Sequence, residues 1–300
     1  MVKKYFIPTT FLSVLIYLIS LASCNLINPP LSIPCYGHID TMDITTAYPL
    51  QGTASSAITC AWVYVDDQPV GAFDLPCTFP MISSSGSHLI TIFPGITADG
   101  ISATREKDPF YTYYNSTVYI KQDSVTKFKF TPTYATSTVF DWMEDFESHG
   151  VTIVTYTPQT STTASLTTVG KPDAYEGNSS GEILLDSNAS VNNILYTGVS
   201  LDTFNLPHDG SAVFMEINYN TNNTFGVGLF TGYSTNITQL PILVEVYPTT
   251  GWKKMYIDLG PSIANQTGPF SVYFTMQRQT GLTQAKLLLD NIKLMHLKGA

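Results

Sequence analysis

Four cysteines, five histidines and 23 Asp and Glu side chains are the groups through which this 300-residue chain could do acid–base, nucleophilic or metal chemistry. Their spacing defines no reaction centre. His38, His88, His149, His208 and His296 are scattered, with none at a metal-ligand interval from another. Cys35, Cys60 and Cys77 include no C-x-x-C pair, so a zinc site is not expected. No G-x-S-x-G elbow, H-E-x-x-H helix, Walker loop or G-x-G-x-x-G turn occurs. The acids are numerous enough for two to face each other as a glycosidase pair, yet a short β-sandwich without a deep cleft is an uncommon scaffold for that chemistry. The expectation is a protein that binds without catalysis.

The fourth cysteine has a different setting. Lys3 and Lys4 precede an apolar run from Phe11 to Ile19, and Leu21-Ala22-Ser23 leads into Cys24. A charged start, a short apolar stretch and small residues before a cut describe a secretory signal over residues 1–23, too short to be kept as a membrane span. The Leu-Ala-Ser-Cys tetrapeptide resembles a bacterial lipobox, which implies that Cys24 becomes an acylated first residue holding the protein to a membrane. The alternative is an ordinary signal peptide with a chance cysteine. With Cys24 acylated, an odd number of thiols is left. One disulfide among Cys35, Cys60 and Cys77 plus one free thiol is expected in an oxidising compartment, with the pairing open.

These residues must be positioned by strands. Hydrophobic residues make up 44% and charged residues 12%, which excludes a disordered chain. The net charge of −9 disfavours nucleic acid as a partner. Eighteen Tyr and 16 Phe, with abundant Thr and Val and no clear 3.6-residue periodicity, predict strands and little helix. After a tether over residues 24–34, Ile58–Val65 and Val70–Phe73 around Asp66-Asp67-Gln68-Pro69 read as a hairpin, and about seven strands form one sandwich over residues 35–135. Trp62 alternates with Val63 and Val65 and is placed in its core. A boundary falls at Pro132–Val139. Strands over Gly181–Leu185, Ala212–Tyr219, Phe225–Phe230, Ile242–Tyr247, Lys254–Leu259, Phe270–Met276 and Ala285–Leu294 then build a second unit over residues 140–296, while Thr155–Thr168 is too polar for a core. Trp142 is offered as a cover for the seam between the two. Tyr111, Tyr113 and Tyr114 form an aromatic cluster after Pro109 and equally suit a tyrosine-rich loop that packs on the neighbouring unit.

The Trp62-Val63-Tyr64-Val65-Asp66-Asp67 run, the Pro76 to Pro80 turn and Asp108-Pro109-Phe110-Tyr111 resemble the immunoglobulin-like, prealbumin-like domain of Bacteroidetes outer-membrane lipoproteins. Glu144-Asp145-Phe146-Glu147, Tyr175-Glu176-Gly177, Gly251-Trp252 and Leu289-Asp290-Asn291-Ile292 resemble the galactose-binding-like jelly roll of carbohydrate-binding modules. The fold expected is therefore all-β, an immunoglobulin-like sandwich followed by a jelly-roll sandwich. The second resemblance implies a structural Ca²⁺ held by Glu147, by Glu176 or Gly177, and by Asp290, an oxygen-rich set of the kind calcium takes; the alternative is that Glu147 and Asp290 only cap strands. It also implies a sugar stacked on an exposed ring. Tyr233 on the Thr231–Asn236 loop is the candidate, with Asn222 and Asn223 as hydrogen-bonding neighbours. The resulting expectation is an outer-membrane lipoprotein, periplasm-facing or surface-exposed, that recognises a glycan; the alternative is a structural or assembly lipoprotein that binds an envelope protein.

Overall fold

The computed structural model describes residues 33–299, apart from 102, 149, 162–163, 187–193 and 233–235. Cys24, the signal segment and Tyr233 lie outside the described residues.

Strand patterning in the first half is resolved by two sheets. β1 (Cys35–Ile39) pairs antiparallel with β4 (Cys77–Met81) and parallel with β8 (Val125–Phe128). The facing sheet runs β3 (Gln68–Asp74), β2 (Cys60–Val65), β5 (Gly86–Thr97) and β6 (Arg105–Lys107), with β7 (Tyr114–Ile120) also on β5. Ile39, Phe79 and Phe128 from one sheet meet Val63, Ile90 and Ile92 from the other in a closed core. The β2–β3 turn is tighter than four residues. Asp66 and Asp67 alone form it, with φ of 49° and 62°, the left-handed pair that a two-residue hairpin turn needs.

All three thiols are free and buried, so the expected disulfide is corrected. Register keeps Cys35 from Cys77, because Cys35 stands opposite Met81 while Cys77 stands opposite Ile39. Cys60 belongs to the other sheet, where its sulfur packs over Gly95. Burial pushes each thiol above its ordinary pKa, which keeps it protonated.

The second half is a sandwich of two antiparallel sheets, as the jelly-roll expectation required. One is β10 (Ile153–Thr155), β13 (Leu195–Ser200), β19 (Phe270–Gln277), β15 (Phe225–Thr231) and β16 (Thr238–Gln239), with β17 (Val244–Val246) also on β15. The other is β11 (Thr167–Val169), β12 (Ser180–Asp186), β20 (Gln284–Leu297), β14 (Val213–Thr221) and β18 (Lys253–Asp258), with β9 (Thr138–Glu144) also on β20. Trp142 enters this core, stacked on Phe204 and bonded through Nε1 to Thr152, instead of covering the seam. Helix is confined to α1 (Tyr48–Gln51), α2 (Gly260–Ile263) and one 3₁₀ turn among the described residues. None of their helices is long and apolar enough to cross a membrane.

The halves share a packed seam. Ile44, Ile96, Phe110, Tyr111 and Tyr134 from the first 135 residues meet Phe214, Tyr256 and Met295. Asp99 donates its backbone N–H to the Tyr256 carbonyl at 2.7 Å, and Asp258 donates in turn to Asp99 Oδ1 at 3.0 Å. Tyr134, within the sequence boundary at Pro132–Val139, is buried there.

Candidate functional site

The outer face of the β10–β13–β19–β15 sheet carries a groove of about 620 Å³. Alternation in β15 sends Phe225, Val227 and Leu229 inward and leaves Gly226 on the outside. Register then lines up Glu245, Gly226, Thr275 and Thr197 as one row across β17, β15, β19 and β13. The Thr197 and Thr275 hydroxyls bond at 3.0 Å. Gly226 keeps this floor low, since a Cβ there would come within 3.2 Å of both Ile242 and Thr275. Tyr247 is 68% exposed and Ile242 48% exposed; they stand as walls around Glu245 and Gln277. At one end Arg278 donates through Nη1 to the Leu282 carbonyl, while its Nε is buried without a partner. An exposed ring over a low floor, with an unpaired guanidinium Nε at one end, makes a surface for a hydroxyl-rich ligand with an apolar face.

Asn222 and Asn223, expected as ligand contacts, are corrected to structural roles. Asn223 is fully buried; its Nδ2 donates to the Thr224 and Gln277 carbonyls, and its Oδ1 accepts the Gln279 N–H at 2.9 Å. That amide holds the Gln277–Gln279 rim of the groove in place. Asn222 donates to the Gln284 carbonyl and accepts the Lys286 N–H, tying the β14–β15 turn to β20. The signal that could have found the true wall was the alternation in Val244-Glu245-Val246-Tyr247: two valines inward put Glu245 and Tyr247 outward.

Of the residues expected around calcium, Asp290 meets the Glu176–Gly177 turn where β20 changes partners, while Glu147 lies against the far side of that turn. Residues 284–289 of β20 pair with β12, and residues 292–297 pair with β9. Asp290 and Asn291 occupy the gap, with Asn291 at φ 47°. Ser180 donates to Asp290 Oδ2 at 2.6 Å, the Glu176 N–H reaches the same oxygen at 3.4 Å, and the Asn291 N–H takes Oδ1 at 2.7 Å. Burial still raises the Asp290 carboxyl to about 6. Glu147 is engaged otherwise. Its oxygens accept the N–H groups of Asn178 at 2.7 Å and Ser179 at 2.8 Å and the Asn178 amide at 3.1 Å. Burial pushes that carboxyl up, but the donors together outweigh burial and hold it below its ordinary value. Gly177, at φ +61°, lets the carboxylate sit against the turn, because a Cβ would fall 2.3 Å from Glu147 Oε1.

The fit to an oxygen-bound cation is therefore partial. Asp290, the neighbouring Glu176 carboxylate and Asn291 Oδ1, buried without a partner, are acceptors of the right kind, whereas Glu147 already caps a turn. Among the described residues no three or more His, Cys, Asp and Glu side chains converge as a metal site.

The seam holds a third polar group. Glu216, at 0% side-chain exposure, pairs with Lys254 at 2.6 Å and accepts the Tyr134 hydroxyl at 2.9 Å. Lys293 donates to the Thr53 carbonyl at 2.6 Å and to Tyr134 at 3.0 Å. Every member is enclosed, so the cluster is an internal joint between the halves.

No protein-family model matches the chain, and no curated protein matches it. Among solved structures it is similar to a xylan-binding domain from carbohydrate-binding module family 22, at 14% identity and TM-score 0.36, over 54% of this chain and 97% of that one. The K3 cleaved adhesin domain of Lys-gingipain from Porphyromonas gingivalis aligns at 15% identity and TM-score 0.38, over 53% and 98%. A family 11 carbohydrate-binding module from Clostridium thermocellum, solved with a β-1,3-1,4-mixed-linked tetrasaccharide, aligns at 16% and 0.34, over 52% and 95%. Likeness at this level assigns no ligand to the groove.

Proposed function

We propose that the groove on the second sandwich binds a glycan chain and leaves it chemically unchanged. The observation that supports this most is the pairing of the 68%-exposed Tyr247 ring with the unpartnered Arg278 Nε over a floor made low by Gly226. A pyranose presents an apolar face for the ring and hydroxyls for the guanidinium, Gln277 and Glu245. Soluble protein spanning residues 25–300 on a glycan array is expected to retain at least one glycan. Tyr247→Ala should weaken that binding about tenfold, corresponding to roughly 1.4 kcal/mol. Silence on every glycan would overturn the reading in favour of an envelope protein as partner.

Two further parts belong to the same proposal. The Leu21-Ala22-Ser23-Cys24 sequence supports acylation of Cys24 and an outer-membrane address, which mass analysis of the native N-terminus tests. A calcium ion would be held by Asp290, Glu176 and Asn291 Oδ1, with Glu147 serving as turn cap. Millimolar calcium is then expected to raise the melting temperature of chelator-treated protein; an unchanged Tm removes the ion from the reading.

A further inference from the structure

The first sandwich carries a ring-lined surface of its own. Ala61, Val63 and Val65 of β2 are buried in its core, which turns Trp62 and Tyr64 to the opposite face of the sheet. Trp62 is thereby corrected from core to outer face. The β2–β5 register sets Phe93 directly beside Trp62, and Gly95 leaves room for the indole, whose Cδ1 would lie 3.0 Å from a Cβ at that position. Tyr113, from the loop between β6 and β7, lies on Phe93 with ring centroids 4.5 Å apart and remains 51% exposed.

Three polar groups around these rings have no protein partner of their usual kind. Lys107 places Nζ 4.5 Å from the Tyr64 and Phe93 ring centroids, and no carboxylate among the described residues pairs with it. Asp108 is buried; Oδ1 accepts the Phe110 and Tyr111 N–H groups, while Oδ2 has no partner. Trp62 Nε1 is likewise buried and unpaired. Lys107, Asp108, Phe93, Thr112 and Tyr113 enclose a hollow of about 520 Å³, within the range that holds a small ligand.

We propose that this hollow is a second ligand site, taking an acidic sugar: a pyranose bearing a carboxylate, such as a uronic acid unit. The Tyr113 and Phe93 rings receive the apolar face of the sugar, the Lys107 ammonium receives its carboxylate, and Asp108 Oδ2 meets a hydroxyl. A neutral sugar would leave the ammonium as it stands, so the acid is the preferred form. The site is independent of the groove on the second sandwich and shares none of its residues.

Isothermal titration of the residue 25–300 protein with tri-galacturonate and with neutral galactotriose tests it. The acid is expected to bind about tenfold or more tightly than the neutral trimer, a preference of roughly 1.4 kcal/mol. Tyr113→Ala and Lys107→Met should each abolish most of that binding, and Tyr247→Ala should leave it unchanged. Tyr113 is half exposed, so its variant should keep the parental melting temperature, and Met at 107 keeps the apolar stem on the rings. No binding of the acid, equal binding of both trimers, or loss of acid binding with Tyr247→Ala alone would each overturn the second site. The last outcome would place the acid in the groove and leave the groove's own role intact.

Discussion

Asp108 shows how a single buried oxygen sets the pH response. Burial first, and then the negative Glu216, raise its carboxyl from 3.8 to about 8, although two backbone N–H groups pull the other way. The folded protein therefore holds a proton that the unfolded chain has already released above pH 4. The stability that proton contributes is fully present below pH 4 and is lost as the pH climbs towards 8, at roughly 1.4 kcal/mol per pH unit at most. Lys293 acts with opposite sign in a higher window, since burial lowers it from 10.5 to about 8 and stability is regained as the pH rises through that interval. Asp108→Asn keeps an acceptor for Phe110 and Tyr111 and removes the titration. The gap between urea midpoints at pH 5 and pH 8 should narrow in this variant, with the raised Asp290 supplying part of what remains; a gap as wide as the parent's would contradict the assignment. At this scale the sequence was only partly legible. Trp62 and Val63 are both apolar, so alternation could not say which faced the core, and the roles of Asn222 and Asn223 depended on which backbone groups a distant loop, residues 277–286, would bring to them.

Among elements, the long runs of one residue class were readable and the edges were not. β14, β15, β19 and β20 announce themselves through Val, Ile, Leu, Met and Phe at most inward positions, which fill the core of the second sandwich. β13 hides its strand character in Tyr-Thr-Gly-Val-Ser, where Gly198 is required because a Cβ would meet Tyr196 and Ile153 at about 3 Å. β11 is polar because it is the edge strand beside β12, and the segment before it is polar because it runs along the other sheet, where Thr160 bonds to the backbone of Thr197 in β13. The element that shapes the groove is the β14–β15 turn, and Asn223 fastens it. Asn223→Ala should cost about 1–3 kcal/mol, because the Gln279 N–H and two carbonyls lose their partner inside the protein. Chemical denaturation reads the loss, and a cost near zero would show that the rim is held by something else.

For the molecule as a whole, the seam decides whether two sandwiches behave as one body. Ser55 donates to Asn218, Ala57 to the Tyr256 hydroxyl and Lys293 to the Thr53 carbonyl, so a segment early in sequence is bonded to the sheet of the second half. Glu216→Ala strands Lys254 in an enclosed site and takes an acceptor from Tyr134. A loss of about 3–5 kcal/mol is expected, with both halves melting in one transition in the parent. Calorimetry showing two independent transitions in the parent would refute the joint. Two all-β units could be read from composition and strand spacing. Their union could not, because Glu216, Lys254, Tyr111 and Tyr134 become neighbours only once both halves exist.

β20 has a consequence for how the protein comes into being. It lies between β12 and β14, continues beside β9, and is synthesised after every strand it joins. While a ribosome is still making it, three earlier strands wait with open edges, and one sheet of the second half has nothing at its middle. β11 with β12 and β14 with β18 can pair beforehand, but only β20 joins these pieces and β9 into one sheet. A stop before residue 284 would therefore leave their inner edges bare, and a chaperone that shields strand edges would protect the chain until β20 arrives.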